Sequence, residues 1–415
     1  MHLLPQPNER LTNVPALSSL PGHRMPFALQ TLLGILVLVC IPIVGRAQVD
    51  PMHRSLLQIG YDQPMNGRGP QAVYAYYYYN RPDIAGTNVA LRLAIAPAYL
   101  DGELGFKELL SPNTDLGVGI YGGAFADNYY DVRQGNYRLG ESFDGHGGGA
   151  ALSIYHLLNP GQLVPLNLMA RAGFRYSTYS STSDTDDAFE VPDDRPMVFA
   201  RAGIRLAGKE PILDPDLGVE LSLWYESRWH WNDQPYGFDG DRSISDHTEL
   251  FWLYAGANYS WTNIGHRVSF AMTAGGSSGT DRLSAWRLGG VLPLVAEFPL
   301  ILPGYYYQEL TASRFVHFYA SYQIPLDSQQ RLLLRLEAAT ANVEYLPGYE
   351  QPDNWQSGVG AGLTFTPRNK AFRVIARYGY GFNALRNDGE QGGHSVGLLM
   401  QYDFDQGPQW WRRRR

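Results

Sequence analysis

Arginines recur four residues apart in several stretches: Arg171 and Arg175, Arg201 and Arg205, Arg373 and Arg377. On an extended strand that spacing puts both guanidiniums on one face. Arg92, Arg228 and Arg335 follow the same pattern opposite alternating apolar residues, with Glu220, Glu226 and Glu337 on the arginine side. Guanidiniums along a wet conduit draw anions inward. Interleaved with acids, the same side chains also pack and stiffen a closed interior without any transport. Both readings stand at this level.

Other residue types raise other chemistry. His230 lies near Glu226 and Arg228 on the arginine face, and His317 shares a face with Ser321, so a lipid hydrolase is one reading. Same-face neighbours on one strand are about 7 Å apart, beyond the direct hydrogen bond between base and nucleophile. The partner would have to come from another strand. The acidic stretches Asp184, Asp186, Asp187, Asp193, Asp194 and Asp239, Asp241 lack the fixed spacing of a Ca²⁺ loop and read as solvated. The glycine-rich run 141–150 is not a strand-to-helix phosphate cradle. No metal or cofactor site is expected.

Strands must position these arginines. Over 217–231, Val219, Leu221, Leu223, Tyr225 and Trp229 alternate with Gly218, Glu220, Ser222, Glu226 and Arg228. Stretches 166–176, 198–206, 371–382 and 395–404 repeat the alternation, and further strands are expected at 55–61, 71–79, 249–261, 313–326 and 331–343. Several exceed the usual five or six residues of a soluble strand and suit a bilayer crossing. Aromatics crowd the greasy faces, with 28 Tyr and 9 Trp in 415 residues. The fold class expected is a closed antiparallel transmembrane β-barrel of roughly 14–16 strands, lipid outside and water inside.

The one long apolar run, 27–44, follows Arg24 and precedes Gly45-Arg46-Ala47, which reads as a secretory signal cleaved before Gln48. Residues 1–47 are then extension and signal, 48–404 the barrel, and 405–415 a tail. The single cysteine, Cys40, falls in the signal, which excludes a disulfide scaffold from the mature chain. A net charge of −7 argues against nucleic-acid binding. The expected address is the outer membrane of a Gram-negative-type bacterium, with its lipid as a partner.

Two segments carry resemblances. Ser395, Gly397, Met400, Tyr402 and Phe404 resemble the C-terminal signal of bacterial outer-membrane proteins, which implies the barrel-assembly machinery as a partner. Eleven residues follow Phe404, whereas family members commonly stop at the aromatic. Residues 281–326 resemble the late barrel of the Omp85 (D15 surface antigen) family, where a Leu-Gly-Gly strand end leads into a loop tipped by Arg-Gly-Tyr or Arg-Gly-Phe. Leu288, Gly289, Gly290, Gly304 and Tyr305 match, and Pro303 stands in place of the arginine. In the family that arginine enters the lumen and pairs with an acid; the pairing does not carry over to a proline. The short stretch ahead of the barrel leaves no room for POTRA domains.

Residues 291–302 are too apolar for a loop in water, at about 25 cal/mol per Å². They read either as a loop tucked into the barrel mouth or as a broken pair of membrane strands. The expected function is a passive channel or scaffold, open to small anionic solutes and partly plugged by this loop. The alternative is an Omp85-like barrel translocating protein or lipid.

Overall fold

The computed structural model describes residues 52–96, 99–162, 164–208, 217–293, 298–386 and 389–406. The signal expected within 1–47 and nearly all of the tail lie outside these residues. Sixteen strands form the wall. The first eight are β1 (Arg54–Pro64), β2 (Ala72–Arg81), β3 (Val89–Ala96), β4 (Tyr99–Ser111), β5 (Thr114–Gly123), β6 (Phe143–Leu157), β7 (Leu166–Ser181) and β8 (Arg195–Gly208). The second eight are β9 (Leu217–His230), β10 (His247–Trp261), β11 (His266–Ser278), β12 (Leu310–Pro325), β13 (Leu332–Tyr345), β14 (Trp355–Phe365), β15 (Phe372–Leu385) and β16 (Gln391–Asp403).

Each strand pairs antiparallel with the next, and β16 pairs back onto β1 from Leu56↔Asp403 to Pro64↔Ser395. The ring is closed. A three-residue strand, Trp286–Leu288, pairs with the start of β12 above this wall. Several wall strands run past their expected limits: β1 runs on to Pro64, β7 to Ser181, β8 to Gly208 and β15 to Leu385, and β16 begins at Gln391.

The connections divide into two classes. Pro112–Asn113 and 262–265 are tight, and the chain ends of the wall, Arg54 and Asp403, lie on their rim. The Pro112–Asn113 turn uses Asn113 at φ +64°, a left-handed conformation that Asn tolerates. The opposite rim carries the long connections 124–142, 182–194, 231–246 and 279–309.

Burial is inverted relative to a water-soluble sheet. Ile120, Leu152, Leu221, Leu223, Phe270 and Leu398 are exposed on the outer face. Inside, Gln58, Asn80, Glu103, Asn167, Glu220, Thr248, Gln323 and Glu337 are buried. A soluble sandwich would bury the first set and expose the second. Apolar outside and polar inside suits a ring bathed in acyl chains, which supply the apolar contacts that water cannot.

Leu221 pairs with Ala255, which in turn pairs with Met272, near the middle of the β10–β11 ladder. Replacing Leu221 with Arg should destabilise the folded barrel by about 2–4 kcal/mol, the range for a cation near the bilayer midplane. Reversible urea unfolding in phospholipid vesicles measures it; an unchanged midpoint would place this face away from lipid.

Candidate functional site

The 279–309 connection turns inward and packs on the interior faces of both halves of the wall. Its arms are tied by Gly289 N–H to Leu300 O at 3.1 Å and Leu302 N–H to Gly290 O at 3.0 Å. Val291 and Leu292 pack on Ile375 of β15, Leu399 of β16 and Tyr74 of β2. Phe298 packs on Trp224 of β9 and on Trp252 and Tyr254 of β10. Leu288, Leu302 and Tyr305 join Phe315, Ala339 and Val343 in a buried cluster. Of the two readings of 291–302, the wall-strand one fails: the described part of this segment lies inside the ring.

Polar anchors fix the backbone at both ends of the loop. Val291 N–H donates to Asp62 Oδ2 at 2.7 Å, and Arg377 Nη1 donates to Val291 O at 3.1 Å. The His317 Nε2 to Ile301 O distance is 2.7 Å, which fits an Nε2–H donor. Gly304 N–H donates to Ser395 Oγ at 3.0 Å, and Tyr305 Oη–H to Gln356 Oε1 at 2.7 Å.

The tip lies on bare backbone. A Cβ on Gly358 would stand 2.1 Å from Pro303 O, one on Gly379 2.5 Å from Gly304 N, and one on Gly304 itself 1.9 Å from Gly381 N. Gly304 also has φ +86°, which side-chain-bearing residues rarely adopt. Any larger residue at these positions would lift the tip off β14 and β15.

A guanidinium from outside the loop lies at its tip. Arg386, just past β15, donates from Nη2 to Gly304 O at 2.5 Å and lies 4.0 Å above the Tyr306 ring. Its Nη1 pairs with Glu309 Oε1 at 3.2 Å, and Glu309 Oε2 accepts Tyr306 N–H at 2.7 Å. Both side chains of the pair are almost fully buried. Burial pushes the Glu309 carboxyl up, and the Arg386 charge and the Tyr306 N–H pull it back. The loop tip is thus held by a guanidinium from the 386–390 connection.

Above the tip the long connections knit together. Buried Asp131 faces Arg133, Arg242 and Arg282, and accepts a hydrogen bond from Tyr349 Oη at 3.2 Å. Burial raises its carboxyl above the ordinary range, against the pull of Arg133. Tyr129, Phe143, Phe189, Tyr236 and Ile244 form an apolar cluster beside it. Arg287 of the inserted loop donates to Tyr130 O at 2.7 Å, joining loop and cap.

The nine arginines singled out in the sequence share the inner parity of their strands, and most contact an acid or aromatic ring. Arg92 pairs with Asp101 at 3.7 Å, Arg205 with Glu220 at 3.0 Å and Arg377 with Glu337 at 3.5 Å; Arg175 pairs with Asp127. Arg201 and Arg228 share Glu226, each at 2.5 Å. Arg171 lies over the Tyr121 ring at 5.3 Å, and Arg335 donates to Tyr319 Oη at 3.3 Å. Arg373 shares the face of Ile375 and Arg377. Asp101, Glu103, Asp127, Asp62 and the Glu309–Arg386 pair did not figure among the sequence candidates. One signal was present: Ile375, Leu399, Trp224 and Trp252 are apolar residues at inward positions, and each meets the inserted loop.

Of the terminal-strand residues, Ser395 and Gly397 face the loop, while Met400 and Tyr402 fall on the outer parity. Phe404 meets Tyr402 edge-on at 4.8 Å and Tyr77 at 5.8 Å. Neither His230 nor His317 hydrogen-bonds a serine or a carboxylate through its ring.

Neither a family model nor a curated protein matches the sequence. Solved structures match its fold. CdiB from Acinetobacter baumannii superposes with a TM-score of 0.54 at 10% identity, over 85% of this chain and 60% of that one. This chain has the outer-membrane β-barrel fold. CdiB from Escherichia coli gives 0.53 at 12% identity, over 85% of this chain and 63% of that one. BamA from Haemophilus ducreyi lacking POTRA domains 1–3 gives 0.52 at 8% identity, over 85% of this chain and 71% of that one. CdiB and BamA are Omp85-family barrels. The chain spans about 60% of the length of the CdiB structures it matches.

Removing one partner of a buried ion pair costs about 3–5 kcal/mol, because the other charge stays behind. Arg386→Ala should therefore loosen the loop and expose 291–303 to protease added from the long-loop side. Adding Glu309→Gln should restore part of the protection. Equal cleavage of wild type and Arg386→Ala would show that the tip holds without the pair.

Proposed function

We propose that this protein is an Omp85-like outer-membrane barrel that moves a polypeptide or lipid, with its lumen closed at rest by the 279–309 loop. The observation that carries this reading is the loop itself, anchored to β1, β12, β15 and β16 and braced by Arg386 and Glu309. An element so firmly fixed across the interior narrows any resting path through it. The fold of CdiB and BamA supports the same assignment.

The arginines favour a second reading, a passive channel for small anions. Arg171 lies over the Tyr121 ring, and Arg201 and Arg228 flank Glu226 on the same inner face. Under either reading the chain is exported by a cleaved signal within 1–47 and inserted by the barrel-assembly machinery, which reads Ser395, Gly397, Met400, Tyr402 and Phe404. It then resides in outer-membrane lipid.

Planar-bilayer recording separates the two. The first reading expects a closed or briefly flickering wild type, and larger, longer openings for Arg386→Ala. A steady wild-type conductance with anion preference would replace it with the second.

Assembly gives an independent test. Tyr402→Ala combined with Phe404→Ala should lower the yield of folded barrel in cells, read as the fraction showing the heat-dependent gel shift, by several-fold. Undiminished yield would remove these aromatics from the assembly signal.

A further inference from the structure

On the outer face, Leu223, Leu253, Ala274, Val316 and Asn342 are direct partners in one row across β9 to β13. The next such row toward the long connections holds Tyr225, Phe251, Gly276, Arg314 and Glu344. Ala274 and Gly276 are the small members of these rows, so β11 floors a groove of about 420 Å³ between β10 and β12.

Gly276 has no internal reason to be glycine. Its strand pairs without a bulge on either side, and its φ lies outside the left-handed region. A Cβ there would meet nothing closer than Arg314 Cγ at 3.7 Å, whereas one on the inward Gly275 would strike Phe315 at 2.4 Å. Glycine inside a strand weakens it and often marks the close approach of a ligand. The chemistry beside it says which ligand. Tyr225, Phe251 and Trp355, the partner of Asn342, put the two rows in an aromatic belt, where hydrocarbon gives way to headgroups. Arg314 and Glu344 form an ion pair at 3.4 Å, with both side chains more than half exposed. Exposed pairs of this kind contribute little to stability, so this one opens easily.

We propose that the groove binds one ethanolamine phospholipid. An acyl chain lies over Gly276 and Ala274, against Leu223, Leu253 and Val316. The phosphate sits on Arg314 and the ammonium on Glu344, so a neutral ion pair takes a neutral zwitterion with each charge matched. The volume falls in the usual range of ligand sites. At the ~30 Å³ of one water it holds roughly fourteen non-hydrogen atoms, which suits one acyl chain rather than two. The site is on the outside of the wall and does not depend on what the lumen passes.

The test adds equimolar dimyristoyl phosphatidylethanolamine, phosphatidylcholine and phosphatidylglycerol to the full barrel in detergent micelles. Native mass spectrometry then reads which lipid stays bound. Wild type should retain one phosphatidylethanolamine, at least roughly ten-fold over either competitor, as a charge-assisted contact requires. Arg314→Gln should lower that retention about ten-fold, and Glu344→Gln should erase the preference over phosphatidylglycerol. Gly276→Leu should abolish binding of all three while keeping the heat-dependent gel shift. If it fails to fold, Ala274→Leu fills the same groove one row away. Retention unchanged by the filling substitution, or a wild-type preference for phosphatidylglycerol, would overturn the proposal. So would a doubled protein mass lost on filling, which would assign the groove to a second copy of this chain.

Discussion

A polypeptide crossing hydrocarbon has no water to satisfy its backbone, so every N–H and C=O must find a partner within the chain. For strands the solution is a ring, and the decisive contact is the one between the first strand and the last. Here Leu56 to Pro64 runs against Ser395 to Asp403 along the full seam. Closure removes both sheet edges and fixes the parity of all sixteen strands at once. From that parity follow the outward-facing Leu, Ile and Phe and the buried inner Gln, Asn and Glu.

Closure also creates an interior that has to be filled. A barrel of this strand number encloses more space than its inner side chains occupy. The 279–309 loop takes up part of that space. It brings its own apolar residues, for which the wall supplies matching inward patches at Ile375 and Leu399 on one side and Trp224 and Trp252 on the other. Polar groups then set the register: Asp62, Arg377, His317 and Ser395 each bind one backbone atom of the loop. Arg386 reaches the loop tip from a neighbouring connection and pairs there with Glu309.

The wall was readable because alternation is a local property: each strand announces its two faces within a dozen residues. The inserted loop was only half readable. The apolarity of 291–302 ruled out a loop in water, but a loop in the lumen and a pair of wall strands share that composition. The signal that separates the two lay unused in Ile375 and Leu399, apolar residues on an inner face that has no reason for them without a partner. The ion pairs were least readable. Asp127 and Arg386 lie in connections, and Arg175 and Glu309 meet them across 48 and 77 residues of sequence. Only the closed ring brings such positions together. An inner face read as nine arginines against Glu220, Glu226 and Glu337 therefore looked more cationic than one in which Asp101 and Asp127 are also engaged.

The bare floor at Gly358, Gly379 and Gly381 couples two parts of the molecule that are distant in the chain. A strand face without side chains packs poorly by itself and gains its cohesion from whatever lies on it. Were the loop ever to withdraw, β14 and β15 would lose their covering and become the most pliable sector of the wall, next to the seam where the ring was joined. Mobility of the plug and softness of that sector would then rise and fall together.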